Sequence, residues 1–130
     1  MRLLLDTHIL LWSLADPRRL PESAREAIET GDNEILFSAA SIWEIAIKAQ
    51  LLRAEFGVDT ATIISAARET RFTELAISAE HAAAVSALPP HHKDPFDRLL
   101  MAQASTEPAR LVTADKALAA YSNDLVWLIA

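Results

Sequence analysis

The chain has 130 residues, which suits one domain with a hydrophobic core, and we treat residues 1–130 as a single domain. It contains no cysteine, which excludes disulfides and thiolate zinc sites and is consistent with the cytoplasm. The net charge of −6 argues against nucleic-acid binding by general electrostatic attraction. No apolar stretch approaches the roughly 20 residues of a membrane span, so we expect no membrane partner.

Short apolar runs alternate with segments of helical spacing along the whole chain. Strands are predicted at residues 3–5, 34–37, 73–77, 110–113 and 126–129. Helices are predicted at residues 7–14, 21–30, 39–52, 60–69, 95–105 and 116–121, and a further helix that Ser78 caps lies before a loop at residues 88–93. This alternation predicts an α/β fold, a three-layer α/β/α sandwich with a central, mostly parallel sheet.

Acidic residues follow apolar runs, or open apolar segments, in four separate parts of the sequence. Asp6 follows the first predicted strand, Glu44 lies in the helix after the second, Asp97 begins the helix 95–105, and Asp115 follows the run 111–113. The carboxyl ends of parallel strands form one edge of the sheet, where α/β folds bind ligands. Carboxylates gathered there repel one another, and a divalent cation relieves the repulsion. The pattern therefore predicts a metal site and metal-assisted phosphoryl chemistry.

Most of these acids also have a structural explanation. Asp6 and Asp115 each precede a predicted helix and are good N-cap residues. Glu44 follows Ser41 by three residues, which matches a capping box, and precedes Lys48 by four, which matches a surface ion pair. The apolar neighbours of Glu44 nevertheless indicate partial burial, and a buried carboxylate needs a partner or a metal.

The segment around residues 91–100 is the most informative part of the sequence. Asp94 is best explained as the N-cap of the following helix, an accessory role at most. Asp97 lies three residues before Leu100, so it continues the apolar stripe of that helix, which is unusual for an acid without a function. His91 and His92 are expected on the surface of a loop, because adjacent histidines rarely converge on one metal.

Four segments carry a family resemblance: LLLDTH at residues 3–8, SIWEIAIK at 41–48, HKDPFDRLLMAQA at 92–104 and LVTAD at 111–115. Together they resemble the PIN-domain family, and within it the VapC-type toxins of type II toxin–antitoxin systems. The resemblance implies a PIN-like fold and a metal-dependent endoribonuclease. It also implies a homodimer and a cognate antitoxin protein that blocks the site. Asp6, Glu44, Asp97 and Asp115 would hold Mg²⁺, or Mn²⁺ as a substitute, with Asp115 at the position that varies most in the family.

We expect a metal-activated water to cleave the RNA phosphodiester bond. Thr7, Ser41 and Thr113 are candidates to orient waters or substrate oxygens. Arg98 and Lys116 are candidates for phosphate contact, although a solvated surface position explains either of them.

Two other functions fit parts of the sequence. A strand followed by Asp6 is also found in haloacid-dehalogenase-like phosphatases, where the aspartate is the nucleophile. Such an enzyme needs a second aspartate two residues later, and this chain has His8 there. The other alternative is a catalytically silent PIN-like binding module, which the presence of all four acids disfavours.

Overall fold

The computed structural model describes residues 1–52, 59–122 and 124–129, and its centre is a sheet of five strands. The strands are β1 (Arg2–Leu5), β2 (Glu34–Ser38), β3 (Thr73–Leu75), β4 (Arg110–Thr113) and β5 (Val126–Leu128). Their order is β3-β2-β1-β4-β5, and every pairing between neighbouring strands is parallel. The strands at the centre of a parallel sheet are buried on both faces, which is why β1 contains consecutive leucines rather than an alternating pattern.

The helices cover both faces of the sheet. They are α1 (Thr7–Ala15), α2 (Glu22–Glu29), α3 (Ala39–Leu52), α4 (Thr60–Glu69), α5 (Ala79–Ala84) and α6 (Pro95–Thr106). Leu3 and Leu5 of β1 belong to a core with α1 to α4, whereas Leu4 faces the opposite core with α6. The predicted three-layer sandwich is confirmed. No helix among the described residues is long and apolar enough to span a bilayer.

The predicted bounds differ from the structure mainly near the sheet edges and in the short helices. Strand β3 ends at Leu75 rather than at residue 77, because it lies at the sheet edge and pairs only with β2 over these three residues. The segment after β4 is a 3₁₀-helix, Lys116–Ala120, and two further short 3₁₀-helices are Pro17–Arg19 and Val85–Ala87. Helix α3 begins at Ala39, so Ser41 lies inside the helix.

The sheet order brings the ends of β1 and β4 side by side. Leu5 is paired with Val112, and the backbone N–H of Asp6 donates to the carbonyl of Val112 at 3.0 Å. Helix α3 leaves the end of β2 on the other side of β1, and α6 packs against both α3 and β4. The carboxyl edge of the sheet therefore receives side chains from two strand ends and two helices.

Candidate functional site

Asp6 lies at the end of β1 and is only 6% exposed. One carboxylate oxygen accepts a hydrogen bond from the backbone N–H of Ile9 at 2.9 Å, so Asp6 is the N-cap of α1. The other oxygen accepts from the hydroxyl of Thr113. Burial raises the pKa of Asp6 to about 6, with a smaller contribution from the charge of Asp97, and the two hydrogen bonds oppose that rise. Asp6 therefore both caps a helix and contributes a buried carboxylate to the sheet edge.

Glu44 projects from α3 and is also 6% exposed. Its Oε1 accepts from the hydroxyl of Thr7 at 2.6 Å, and its Oε2 lies 2.9 Å from the ammonium of Lys48. The Thr7 oxygen also lies 3.1 Å from the hydroxyl of Ser41. The predicted ion pair between Glu44 and Lys48 is therefore formed. The predicted capping box of Ser41 and Glu44 is wrong, because α3 begins before Ser41. Both oxygens of Glu44 are fixed by neighbouring side chains.

Asp97 lies in the first turn of α6, two residues after Pro95. Its Oδ2 is 2.8 Å from Nε2 of His92. Burial raises the pKa of Asp97; the negative charges of Asp94 and Glu44 add to that rise, and His92 opposes it. Asp94 itself accepts from the backbone N–H of residue 96 at 2.8 Å and of Asp97 at 3.1 Å, so it is the N-cap, as predicted.

Asp115 follows β4 and is exposed. Its Oδ1 accepts from the backbone N–H of Ala117 at 2.9 Å, so it caps the 3₁₀-helix that follows. The hydroxyl of Thr113 accepts from the backbone N–H of Asp115 at 3.0 Å while donating to Asp6. Thr113 therefore connects the two acids that follow β1 and β4.

The acids influence one another across these four elements. The charge of Asp97 raises the pKa of Asp6, and the charge of Glu44 raises that of Asp97. One ligand atom from each of His92, Asp97 and Asp115 lies within 4.8 Å of the other two. The sheet edge thus gathers carboxylates that are costly to ionise together, and their oxygens are the donors that hard divalent cations prefer.

Comparison with known proteins assigns the chain to a family. The family model of the PIN domain matches residues 3–123. The chain belongs to the PIN-domain family. It is also 35% identical over 121 residues to Ribonuclease VapC22 of Mycobacterium tuberculosis (strain ATCC 25618 / H37Rv), and the alignment covers 92% of each protein. The predicted resemblance to PIN domains of the VapC type is confirmed.

Three solved structures with this fold align with most of this chain. VapBC2 from Rickettsia felis, crystallised with a promoter DNA fragment, has a TM-score of 0.72 at 18% identity, with 98% of each chain covered. A toxin–antitoxin complex from Klebsiella pneumoniae has a TM-score of 0.62 at 22% identity, covering 98% of this chain and 97% of that one. FitAcB from Neisseria gonorrhoeae has a TM-score of 0.55 at 17% identity over 88% of each chain. These similarities support the fold.

Family membership excludes one of the two alternative functions predicted from the sequence. A PIN domain is not a haloacid-dehalogenase-like phosphatase, and His8 is exposed where that class needs a second aspartate. The catalytically silent PIN-like module is a question of activity, and the experiment proposed below distinguishes it.

The two basic residues predicted to contact phosphate, Arg98 and Lys116, have different surroundings in this PIN domain. The guanidinium of Arg98 donates to the backbone carbonyls of Pro89 and His92, each at 3.2 Å, and of Val85 at 3.0 Å. These bonds tie Arg98 to the loop before α6 and to the 3₁₀-helix that precedes it, so Arg98 is not surrounded by solvent alone, and its contact with phosphate stays a prediction. Lys116 is exposed, so its contact with phosphate stays a prediction.

His92 is the residue that sequence reasoning placed wrongly. Its imidazole is only 16% exposed and lies against Asp97 instead of on the loop surface. The loop that precedes α6 folds back over the first turn of the helix, which brings His92 beside a residue five positions later. The only sequence signal of the contact between His92 and Asp97 was the position of His92, a polar residue two positions before the N-cap Asp94.

Proposed function

We propose that this chain is a divalent-metal-dependent endoribonuclease and the toxin of a type II toxin–antitoxin pair. The observation that carries the proposal is the arrangement of Asp6, Glu44, Asp97 and Asp115 at one edge of the sheet. The family match and a relative named as a ribonuclease support RNA as the substrate class.

The donor set fits Mg²⁺, or Mn²⁺ as a substitute. Asp6, Glu44, Asp97 and Asp115 would hold the ion through carboxylate oxygens, which are the ligands that these hard cations take. The raised pKa values of Asp6 and Asp97 indicate that ionised carboxylates are unfavourable there without a compensating positive charge. When bound there, a divalent ion would supply Lewis-acid stabilisation of the phosphodiester and would lower the pKa of an attacking water.

The hydroxyl groups beside the acids have a positioning role in this proposal. Thr113 donates to Asp6, and Thr7 donates to Glu44 at 2.6 Å. Both threonine side chains are almost fully buried, so these bonds do not compete with bulk water. They orient the carboxylates before the substrate arrives, and such preorganisation lowers the cost of reaching the transition state. In this proposal Thr7 and Thr113 orient carboxylates, and the expectation that Thr7, Ser41 and Thr113 orient waters or substrate oxygens stays a prediction.

RNA cleavage tests the proposal directly. We expect cleavage with Mg²⁺, none in EDTA, and none with Asp6→Asn or Asp97→Asn. Asp59→Asn is the matched control, because Asp59 is an exposed carboxylate that caps α4 through the N–H of Thr62, away from the site. Cleavage that persists in chelator or in both site variants would contradict the proposal. Metal binding without RNA cleavage would instead favour the catalytically silent alternative.

The toxin role adds an antitoxin and a homodimer to the proposal. The Klebsiella structure with the same fold is a toxin–antitoxin complex, which supports a protein inhibitor for this chain. Co-expression with the product of a small neighbouring reading frame should give a complex that no longer cleaves RNA, and light scattering of the free chain should give the mass of two copies. RNA cleavage that continues undiminished in the complex with the candidate antitoxin, or a monomer at every concentration, would contradict these assignments.

A further inference from the structure

A histidine lies among the acids, and the proposed mechanism does not use it. Nε2 of His92 is 2.8 Å from Oδ2 of Asp97, and ligand atoms of His92, Asp97 and Asp115 lie within 4.8 Å of one another. Neighbouring donors around an octahedral ion with bonds of about 2.1 Å are about 3 Å apart, and opposite donors are about 4.2 Å apart. The 2.8 Å between His92 and Asp97 matches neighbouring donors, and no pair of the three ligand atoms exceeds the separation of opposite donors by more than about 0.6 Å.

The loop that carries His92 is fixed in place by side chains from outside it. Arg98 donates to three backbone carbonyls of this region, including that of His92 itself. The hydroxyl of Tyr121 donates to the carbonyl of Pro89 at 2.9 Å, and the His91 ring packs edge-on against the Tyr121 ring at 5.1 Å. A histidine with only a surface role needs no such scaffold. The scaffold instead holds the His92 imidazole, which is 16% exposed, against the acidic site.

We propose that His92 is a nitrogen ligand of the divalent-cation site and that it gives the site a preference for first-row transition ions over Mg²⁺. The inference rests on the proposed metal-dependent function and adds a donor to its carboxylates. Mg²⁺ takes oxygen ligands and gains little from an imidazole, whereas first-row transition ions accept imidazole nitrogen. Mn²⁺ is the probe of this group, because it takes carboxylate oxygens as Mg²⁺ does, so a difference between the two ions in the loss of affinity reports the imidazole nitrogen.

A positioning role for His92 makes a different prediction. If the imidazole only orients Asp97 through their hydrogen bond, its removal weakens the binding of Mg²⁺ and Mn²⁺ by the same factor. If the imidazole is a ligand, its removal weakens the binding of Mn²⁺ and leaves that of Mg²⁺ nearly unchanged. The ratio of the two affinities therefore separates a ligand from an orienting group.

Calorimetric titration of the tag-free protein with MnCl₂ and with MgCl₂ measures this ratio. We expect His92→Asn to weaken Mn²⁺ binding by at least about 10-fold, which is the lower end of the loss seen when even an outer partner of a metal ligand is removed. Mg²⁺ affinity should change by less than about 3-fold, since Mg²⁺ depends on oxygen ligands. His91→Phe is the control, because His91 is an adjacent, exposed histidine and phenylalanine keeps an aromatic ring against Tyr121 while removing the imidazole nitrogens; it should leave both affinities unchanged. An equal loss for the two ions, or no loss, would overturn the assignment.

Pulsed electron paramagnetic resonance of the Mn²⁺-loaded wild-type protein gives a second readout that needs no variant. A ligating imidazole should produce nitrogen coupling to the Mn²⁺ signal, and the coupling should disappear in His92→Asn and remain in His91→Phe, which keeps the ring contact with Tyr121. Bound Mn²⁺ without nitrogen coupling in the wild type would overturn the His92 assignment alone, even if His92→Asn fails to fold. A wild-type protein that binds neither ion would overturn the proposed metal site itself, so the two failures are distinguishable.

Discussion

Replacing Asp6 by asparagine tests how unfavourable the buried charge at this site is. Burial raises the pKa of Asp6 from its ordinary 3.8 to about 6. Ionising this carboxyl in the folded protein therefore costs about 3 kcal/mol more than in the unfolded chain. Asparagine has the same shape without the charge, and its amide can still accept from Ile9 and donate to Thr113. We expect Asp6→Asn to raise the free energy of unfolding by up to about 3 kcal/mol near pH 7 in the absence of divalent cations.

The pH dependence identifies the cause of this gain. Below pH 3.8 Asp6 is protonated in both the folded and the unfolded state, so its pKa shift costs the wild type nothing. The cost appears as the pH rises from 3.8 towards 6, because the unfolded chain loses its proton first, and it is complete above about 6. The stability difference between Asp6→Asn and the wild type should therefore grow with pH across this interval and then stay constant.

Urea unfolding in EDTA at a series of pH values from about 4 to 7.5 measures the difference, with midpoints converted through the slope of each transition. Asp59→Asn is the control, because hydrogen bonds from the helix lower the pKa of Asp59. Its carboxylate stabilises the fold at higher pH and loses that effect as the pH falls, so any pH-dependent effect of Asp59→Asn should have the opposite sign. A gain for Asp6→Asn that is equal at every pH, or that grows towards low pH, would refute the reasoning.

Three further predictions concern the metal site, the Thr7–Glu44 hydrogen bond and the loop that Arg98 binds. Mg²⁺ at 100 times its dissociation constant should raise the free energy of unfolding by about 2.7 kcal/mol, which is measured as a higher Tm. Asp6→Asn or Asp97→Asn should abolish this gain. No shift in Tm at Mg²⁺ concentrations that support cleavage would argue against a preformed site. Thr7→Val should slow RNA cleavage and lower the free energy of unfolding by about 1.5–3 kcal/mol, because the Glu44 carboxylate loses a buried hydrogen-bond donor. Thr7→Ser should restore both cleavage and stability. A fully active Thr7→Val would contradict the positioning role of Thr7. Arg98→Met should make the 88–94 loop sensitive to proteolysis without unfolding the sheet, since the loop carbonyls of Pro89 and His92 and the carbonyl of Val85 before the loop lose their donor. Unchanged digestion of the loop would show that other contacts hold it.

Local signals in the sequence were enough to identify most of the elements and caps. The apolar runs at residues 3–5 and 110–113 are buried strands, because a central parallel strand needs apolar side chains on both faces. Ser78 and Asp94 are helix caps, as predicted from their type and position. Gly31 follows α2 with a φ of 82°, the left-handed conformation that glycine adopts at little cost. Each of these features depends on residues within a few positions of one another.

The sequence by itself determined the α/β class, the order of its elements and the acids that follow its apolar runs, because strand pattern, helix period and cap chemistry are local properties. Only the tertiary structure decided which groups meet at the sheet edge. Thr113 reaches Asp6 across 107 positions and Thr7 reaches Glu44 across 37, and both contacts exist because the sheet order places β1 between β2 and β4. The raised pKa of Asp6 likewise comes from burial by distant segments, which no local pattern specifies.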